Sequence, residues 1–185
     1  MGPSIKITPN LILRVENELR ADSVLKLYLD NKECFEKFEP TRPDNFYTLD
    51  YHKNMLIREQ KAYTMGTFLR YYIYEKSDLE NIIGAINFNI MHDHVSKYAE
   101  IGYKIDQSHQ NHGYAKEACL YGISVMHEYY DVNRLYARIH PDNHPSRHVV
   151  SSLGFKFECV EYQSANILGK YADLYRYYLD ISDSQ

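Results

Sequence analysis

Tryptophan is absent from this chain of 185 residues, and cysteine is scarce. The three cysteines, Cys34, Cys119 and Cys159, are odd in number and show no paired spacing, which argues against a disulfide framework. We therefore expect reduced thiols that serve as packing residues, as in a protein of the cytoplasm.

A long hydrophobic run is also absent. The longest stretch without a charged residue, 81–92, has twelve residues and three asparagines, whereas a membrane span needs about 20 mostly apolar residues. Residues 1–10 show neither a basic run leading into an apolar one nor a myristoylation pattern, because Lys6 stands where Ser or Thr is required. The sequence therefore predicts no membrane partner and a cytoplasmic location.

Positive charge is not in excess. The chain has 21 Lys and Arg residues against 25 Asp and Glu residues, for a net charge of -4, which gives no general attraction to nucleic acid or anionic lipid. Its 19 tyrosines could stack on bases, but no RNP-type motif accompanies them, so packing of strands explains them better. We expect no nucleic-acid partner, and cationic partners are favoured.

What is present is the composition of an ordinary folded domain, with 44% hydrophobic and 25% charged residues. No repeat, low-complexity tract or Gly/Ser-rich linker divides the chain, so residues 1–185 are expected to form a single domain. The expected strands are 11–16, 68–75, 82–91, 98–105, 134–139, 155–164 and 171–180. The expected helices are one from about Asp22 with Leu25, Tyr28 and Leu29 on its apolar face, and those at 47–65, 113–130 and 146–153. This order predicts a mixed α/β fold in which helices cover a central sheet.

The most informative stretch is 98–118, where a strand runs through a polar loop into a helix that begins near Gly113. A helix N-terminus offers unpaired N–H groups and the positive end of the helix dipole, which suits a phosphate or pyrophosphate. Gly113 and Ala115 leave room for such an anion, and Lys116 can add positive charge. Gly and Ala also occur at such junctions for packing alone, so this motif by itself does not decide between the two.

Further features follow in a fixed order. The motif Q-x-x-G-x-A at 110–115 precedes a long helix and a strand, and then come N-x-x-S at 143–146, a short helix and L-G-F at 153–155. This order resembles the GCN5-related N-acetyltransferase (GNAT) superfamily over about residues 8–180. The segment A-E-I-G-Y at 99–103 resembles its RimJ/RimL branch of ribosomal-protein N-terminal acetyltransferases. The phosphate loops G-x-x-x-x-G-K-[ST] and G-x-G-x-x-G are absent, which disfavours ATPases and dehydrogenases.

The resemblance implies a mostly antiparallel mixed sheet of about seven strands, splayed around the fourth strand and flanked by about four helices. It also implies an N-acetyltransferase that uses acetyl-CoA as co-substrate and no metal. The pyrophosphate would lie on the amides of residues 110–116, and the pantetheine arm along the strand that ends near Ile105. The residues assigned in this way to coenzyme binding are Tyr103, Lys104, Ile105, Gln110, Asn111, His112, Gly113, Tyr114, Ala115, Lys116, Asn143 and Ser146.

Acetylation of an amine needs a neutral nitrogen, a donor for the oxyanion and a proton for the thiolate. Strand alternation places Glu100, Gly102 and Lys104 on one face. We expect Glu100 to accept the proton of the amine, directly or through water. A main-chain N–H of residues 100–103, near a distortion that Gly102 permits, is the expected oxyanion donor. An ion pair of Glu100 with Lys104 or with a neighbouring strand is the structural alternative.

Asn143 and Ser146 also have two interpretations. Both residue types cap helices, and Pro145 marks a helix start. By the resemblance, Asn143 hydrogen-bonds the pantetheine arm, and Ser146 protonates or solvates the leaving thiolate. Many GNAT enzymes carry a tyrosine general acid four residues before the glycine of L-G-F, where this chain has Val150. Serine at the position of Ser146 is common in the RimJ/RimL branch.

Nine histidines raise the question of a metal site. His92 and His94 are expected at a strand end, and His144 and His148 are four residues apart near an expected helix start. No cysteine or carboxylate cluster accompanies either pair at ligand spacing, so solvated histidines and no metal are expected.

The resemblance implies a primary amine as acceptor, most simply a protein or peptide N-terminus, which attacks the acetyl group without a covalent enzyme intermediate. A small polyamine or aminoglycoside-like amine stays open as an alternative, as does a non-catalytic CoA-binding module. An α-amine with a pKa of about 7.7 to 8.0 needs a weaker base than a lysine near 10.4. Four acidic residues either line the acceptor side or form a solvated helix face. They are Glu33, Glu36, Glu39 and Asp44. A monomer or homodimer is expected.

Overall fold

The structure is a computed structural model, and it describes residues 1–93 and 96–181. In these residues, eight strands form one sheet: β1 Ile5–Ile7, β2 Leu11–Arg14, β3 Phe68–Glu75, β4 Gly84–His92, β5 Lys97–Ile105, β6 Arg134–Ile139, β7 Lys156–Ile167 and β8 Lys170–Asp180. The same part of the chain contains five α-helices: α1 Ala21–Asp30, α2 Lys32–Glu36, α3 Leu49–Thr64, α4 Tyr114–Tyr130 and α5 His144–Ser152.

The sheet has one parallel pair of neighbouring strands, β5 and β6. Its order is β1-β2-β3-β4-β5-β6-β8-β7, and every neighbouring pair is antiparallel except β5 and β6, which are parallel. Only Tyr98–Glu100 and Arg134–Tyr136 are paired between these two strands in the described part of the chain. Beyond Glu100 the two strands separate, and we call the opening between them the gap.

Helices pack on both faces of the sheet through apolar side chains. On one face, α4 and α5 pack on β4, β5 and β6, and Gly122 of α4 lies so close to Phe88 that a Cβ there would come within 2.8 Å of two ring atoms. On the other face, α1 and α3 pack on β3 through residues such as Leu56 and Tyr72. The gap therefore opens toward α4 on one side and toward the α1–α3 layer on the other.

The expected fold class is confirmed, with differences in detail. The described residues form one strand and one helix more than expected, because β1 and α2 are only three and five residues long and give little periodic signal. The strand at 134–139 has its expected limits. The predicted apolar face of α1 is partly wrong, since Leu29 is 50% exposed and the buried residues are Ala21, Val24, Leu27 and Tyr28.

Within the described residues, no helix combines the length and the apolar character needed to cross a bilayer. Cys34, Cys119 and Cys159 are free thiols, and Cys119 is fully buried. Burial raises the pKa of the Cys119 thiol far above its usual range, which fits the packing role expected for it.

Candidate active site

The polar loop before α4 ends in a glycine whose conformation requires it. Gly113 caps the helix with φ 79° and ψ -1°, and Asn111 is also left-handed with φ 64°. The side chain of Gln110 donates from Nε2 to the main-chain oxygen of Ile105 at 3.3 Å, which ties the loop to the end of β5. A Cβ built on Gly113 would meet no atom within 4 Å. The first turn of α4 therefore opens onto free space.

The first-turn amides of α4 have no acceptor within the helix. Glu117, the acidic residue of that turn, points away from them, because its carboxylate accepts from the main-chain N of Asn10 at 2.7 Å and from Asn10 Nδ2 at 2.8 Å. Burial raises the pKa of Glu117, but the hydrogen bonds from Asn10 and Thr8 prevail and lower it. Its negative charge is thus held at the loop between β1 and β2.

The side chains of this loop are held by neighbours or exposed. His112 stacks on Tyr114 with ring centroids 5.5 Å apart, and the Tyr114 hydroxyl donates to Glu75 at 2.6 Å. Asn111, His112 and Lys116 are exposed. The structure therefore places the predicted coenzyme loop at one helix N-terminus with a basic side chain free to approach an anion.

The wall of the gap on the α4 side is joined by two hydrogen bonds between Tyr103 and Ser146. The Tyr103 hydroxyl donates to the main-chain oxygen of Ser146 at 2.8 Å, and the Ser146 hydroxyl donates to the Tyr103 oxygen at 3.0 Å. Asn143 caps α5, since its Oδ1 accepts from the Ser146 main-chain N at 3.2 Å. The capping interpretation of Asn143 is thus observed. Val150 is fully buried.

The side chains of Lys104 and Ile105 are not directed toward the coenzyme loop. The Lys104 ammonium lies on the opposite face of the sheet, 2.7 Å from a Glu39 carboxylate oxygen and over the ring of Tyr28. Ile105 is buried in the core. Any contact of these two residues with a molecule in the gap is therefore through the main chain.

Glu100 lies at the apex of the gap and forms an ion pair. Its carboxylate accepts from Arg138 of β6 at 3.0 Å, and Arg138 also lies 3.7 Å from Glu161. The partner is thus on the neighbouring strand, while Lys104 pairs with Glu39 instead. Glu100 and Arg138 line a cavity of about 780 Å³ whose lining holds four carboxylates and three guanidinium groups. These groups belong to Asp93, Glu100, Glu161, Asp180, Arg134, Arg138 and Arg176.

The expected distortion at Gly102 is wrong. β5 pairs with β4 in unbroken register from Lys97 to Ile105, and Gly102 does not have a positive φ. The reason for glycine is space, because a Cβ at this position would stand 3.1 Å from the side-chain oxygen of Asn87 on β4. The irregularity of β5 lies on its other edge, where it leaves β6.

A short segment after α2, residues 38–42, lies across the open end of the gap on the face opposite α4. Glu39 bonds to Lys104 of β5, and the Phe38 ring lies 5.4 Å from that of His140, the residue after β6. The main-chain N of Thr41 donates to Asn166 at 2.8 Å, near the tip of the β7–β8 hairpin. The segment thus touches β5, the end of β6 and the hairpin. Of the four acidic residues before α3, Glu33 and Asp44 are exposed, whereas Glu36 accepts from the Tyr47 hydroxyl and Glu39 pairs with Lys104.

The histidine pairs show no metal site in residues 1–93 and 96–181. No group of three or more His, Cys, Asp or Glu side chains there could hold a metal ion. His92, His144 and His148 are exposed, and His94 lies outside the described residues.

The sequence profile of the acetyltransferase (GNAT) domain family matches residues 10–156. The chain belongs to the GNAT family. The [Ribosomal protein uS5]-alanine N-acetyltransferase of Escherichia coli is 24% identical over 157 residues, which are 84% of this chain and 80% of that protein. The family match thus confirms the GNAT resemblance that the sequence motifs indicate.

Solved structures agree in fold. Ribosomal-protein-S5-alanine acetyltransferase from Vibrio fischeri matches with a TM-score of 0.91 at 20% identity, over 99% of this chain and all of that chain. RimJ of Mycobacterium smegmatis, solved with a CoA disulfide, matches with a TM-score of 0.88 at 19% identity, over 98% of this chain and 90% of that chain. The predicted RimJ/RimL resemblance is confirmed, and this GNAT protein is an acetyl-CoA-dependent N-acetyltransferase.

Sequence reasoning missed three parts of this GNAT site. Arg138 was not singled out, although its place on a half-buried strand of alternating pattern is a signal for a charged residue with a specific partner. Of the segment 38–42, the sequence singles out only Glu39, and its pairing with Lys104, 65 positions away, has no sequence signal. The contact between Tyr103 and Ser146 joins residues 43 positions apart and has no sequence signal.

Proposed function

We propose that this enzyme acetylates the N-terminal α-amine of a protein or peptide by direct attack on acetyl-CoA. The observation that carries the proposal is the gap between β5 and β6, with the first turn of α4 beside it on one face and Glu100 with segment 38–42 on the other. Such an opening lets a reactant on one face of the sheet reach a reactant on the other face.

The coenzyme side is assigned to the α4 face. The amides of residues 113–116 would hold the pyrophosphate, Lys116 would add charge, and the edge of β5 would hydrogen-bond the pantetheine arm. Gln110 would support the loop through Ile105. The open space before Gly113 and the outward turn of Glu117 both support an anion at this position. The RimJ protein named above is complexed with a CoA disulfide.

The acceptor side is assigned to the face with Glu100. Segment 38–42 contacts both arms of the gap and the hairpin, so this side admits a slender chain end better than a broad surface. The carboxylates outnumber the guanidinium groups in the cavity, which favours an incoming ammonium. An α-amine of pKa about 7.7 to 8.0 gives up its proton more readily than a lysine near 10.4, so a single carboxylate such as Glu100 suffices for an α-amine.

The chemical steps need few groups. Glu100, directly or through water, takes a proton from the ammonium so that the nitrogen can attack the acetyl carbonyl. A main-chain N–H of residues 100–103 on the unpaired edge of β5 would stabilise the oxyanion. Ser146 would donate to the leaving sulfur, since the buried Val150 has no hydroxyl to offer.

Three free thiols are consistent with the cytoplasmic location that we include in the proposal.

Thiol release from acetyl-CoA tests the acceptor class. The panel contains peptides with Ser, Ala or Met at the N-terminus, the same peptides with a blocked N-terminus and an internal lysine, polyamines and aminoglycosides. We expect turnover with free N-termini and none with the blocked lysine peptides. Faster turnover with a polyamine or aminoglycoside would replace the peptide acceptor by a small amine, and no turnover with any amine would contradict the proposal.

A further inference from the structure

The contact between Tyr103 and Ser146 crosses from one arm of the gap to the other. Tyr103 is on β5, whereas Ser146 is in the first turn of α5, which follows β6. The two strands are not paired at this level in the described structure. The two hydrogen bonds therefore join parts of the protein that the sheet itself leaves apart.

The direction of the two bonds fixes the Ser146 hydroxyl. The one proton of the phenol goes to the Ser146 main-chain oxygen, and the one proton of the serine hydroxyl goes to the phenol oxygen. The serine side chain is thus held in one rotamer by a group whose own position is fixed by the strand. Burial raises the pKa of Tyr103 well above its usual range, so the phenol keeps its proton and acts as a donor and acceptor, not as an acid.

We propose that Tyr103 is a positioning residue that holds the Ser146 side chain at the place from which its hydroxyl can turn to the leaving sulfur. This inference rests on the proposed function and assigns Tyr103 a role through Ser146. When the serine hydroxyl turns to the sulfur, the phenol can turn its proton to the serine oxygen, and a chain of two hydrogen bonds then ends on the sulfur.

The reaction balances without net proton transfer from either residue. The nitrogen lone pair forms the N–C bond, and the C–S bond breaks with its electron pair going to sulfur. The proton that the nitrogen loses ends on the thiolate. Ser146 donates a hydrogen bond while the charge develops on sulfur, and Tyr103 holds Ser146 where it can do so.

A double-mutant cycle tests the proposal. The variants are Tyr103→Phe, Ser146→Ala and their combination, and kcat and KM for acetyl-CoA are measured with the best peptide of the panel. Tyr63→Phe is the matched control, because its buried hydroxyl also donates to a main-chain oxygen, that of Gly2 at 2.6 Å, on another part of the fold. Urea unfolding of all variants is measured in parallel.

We expect each single variant of the pair to lower kcat about fivefold to tenfold. The double variant should be no slower than Ser146→Ala, and the KM for acetyl-CoA should change by less than about twofold. Tyr63→Phe should lower stability without lowering kcat. Non-additivity in kcat is the signature of a residue that acts through its partner.

Losses that multiply in the double variant, or a Tyr103→Phe enzyme with unchanged kcat, would overturn the positioning role even if the wild-type enzyme acetylates peptides. Coupling of the pair in urea unfolding with independent effects on kcat would leave a purely structural contact and would overturn it as well. A wild-type enzyme that acetylates no amine would instead sink the proposed function, and this inference with it.

Discussion

Arg138 donates to Glu100 at 3.0 Å across the point where β5 and β6 part. Both side chains are partly exposed, at 41% for Arg138 and 31% for Glu100, so the pair is accessible to an incoming group and adds little to stability. An ammonium that approaches Glu100 takes the place of the Arg138 guanidinium beside the carboxylate, so one positive group replaces another. The pair therefore holds the Glu100 carboxylate in place at the gap until the amine arrives.

Replacing Glu100 by Gln should separate turnover from coenzyme binding. Because the amide cannot accept a proton, we expect kcat to fall about 100-fold, while the Kd for acetyl-CoA changes little. Steady-state kinetics and calorimetry measure the two quantities. Glu158→Gln is the control, since Glu158 makes the same kind of ion pair with Arg176 but does not line the cavity. Unaltered turnover in Glu100→Gln would remove this carboxylate from the mechanism.

The residues of the gap show what could be predicted from the sequence. The helix N-terminus at 113–116 was predictable because glycine, small residues and a strand-to-helix junction lie within a few positions of one another. The partner of Glu100 was not, because Arg138 is 38 positions away and only the parallel pairing of β5 and β6 brings the two together. The same holds for Tyr103 and Ser146.

The helix faces show a second limit. Val24, Leu27 and Tyr28 of α1 are buried, whereas Leu25 and Leu29 form an overlapping apolar stripe with Tyr28. Hydrophobic spacing fits both stripes equally, and the choice depends on how α1 lies against α3 and the sheet. Short elements such as β1 are not predicted for a different reason, since three residues are too few to show a hydrophobic period.

Acid should destabilise the protein through His52. Its ring is fully buried and stacks on Tyr28. Burial, with a smaller effect of Arg42 and Arg70, lowers the pKa of His52 to about 4, while the unfolded chain titrates near 6.5. Between these two pH values the unfolded state binds more protons, so stability is full above pH 6.5 and falls as the pH approaches 4.

The size of this effect is about 3 kcal/mol if His52 alone is responsible. Urea unfolding of the wild type and of His52→Phe at pH 7 and pH 4.5 measures this loss of stability. Both proteins have the same carboxylates, so the effect of these groups cancels in the comparison. Between pH 7 and pH 4.5 the wild type should lose more stability than His52→Phe. Equal losses in both proteins would show that His52 does not carry the acid sensitivity.

Gly122 should not tolerate a methyl group. Alanine favours helices by about 1 kcal/mol over glycine, but a Cβ at 122 would lie 2.7 Å from a ring atom of Phe88 and 3.0 Å from Ile86. We expect Gly122→Ala to lower the free energy of unfolding by about 1 to 3 kcal/mol. In a Phe88→Leu background the clash is relieved, so there the same change should cost less. Equal costs in both backgrounds would contradict this packing.

The central claim, that the amides around Gly113 hold the pyrophosphate, is tested most directly by calorimetric titration of CoA into the wild type, Gly113→Asp and Gly113→Asn. Asp and Asn tolerate a left-handed conformation better than other side chains, and a Cβ at 113 has room, so both variants should fold. The added carboxylate should weaken CoA binding roughly tenfold to a hundredfold by like-charge repulsion, and the neutral amide much less. Equal affinity of all three proteins for CoA, or no heat with the wild type, would contradict the account.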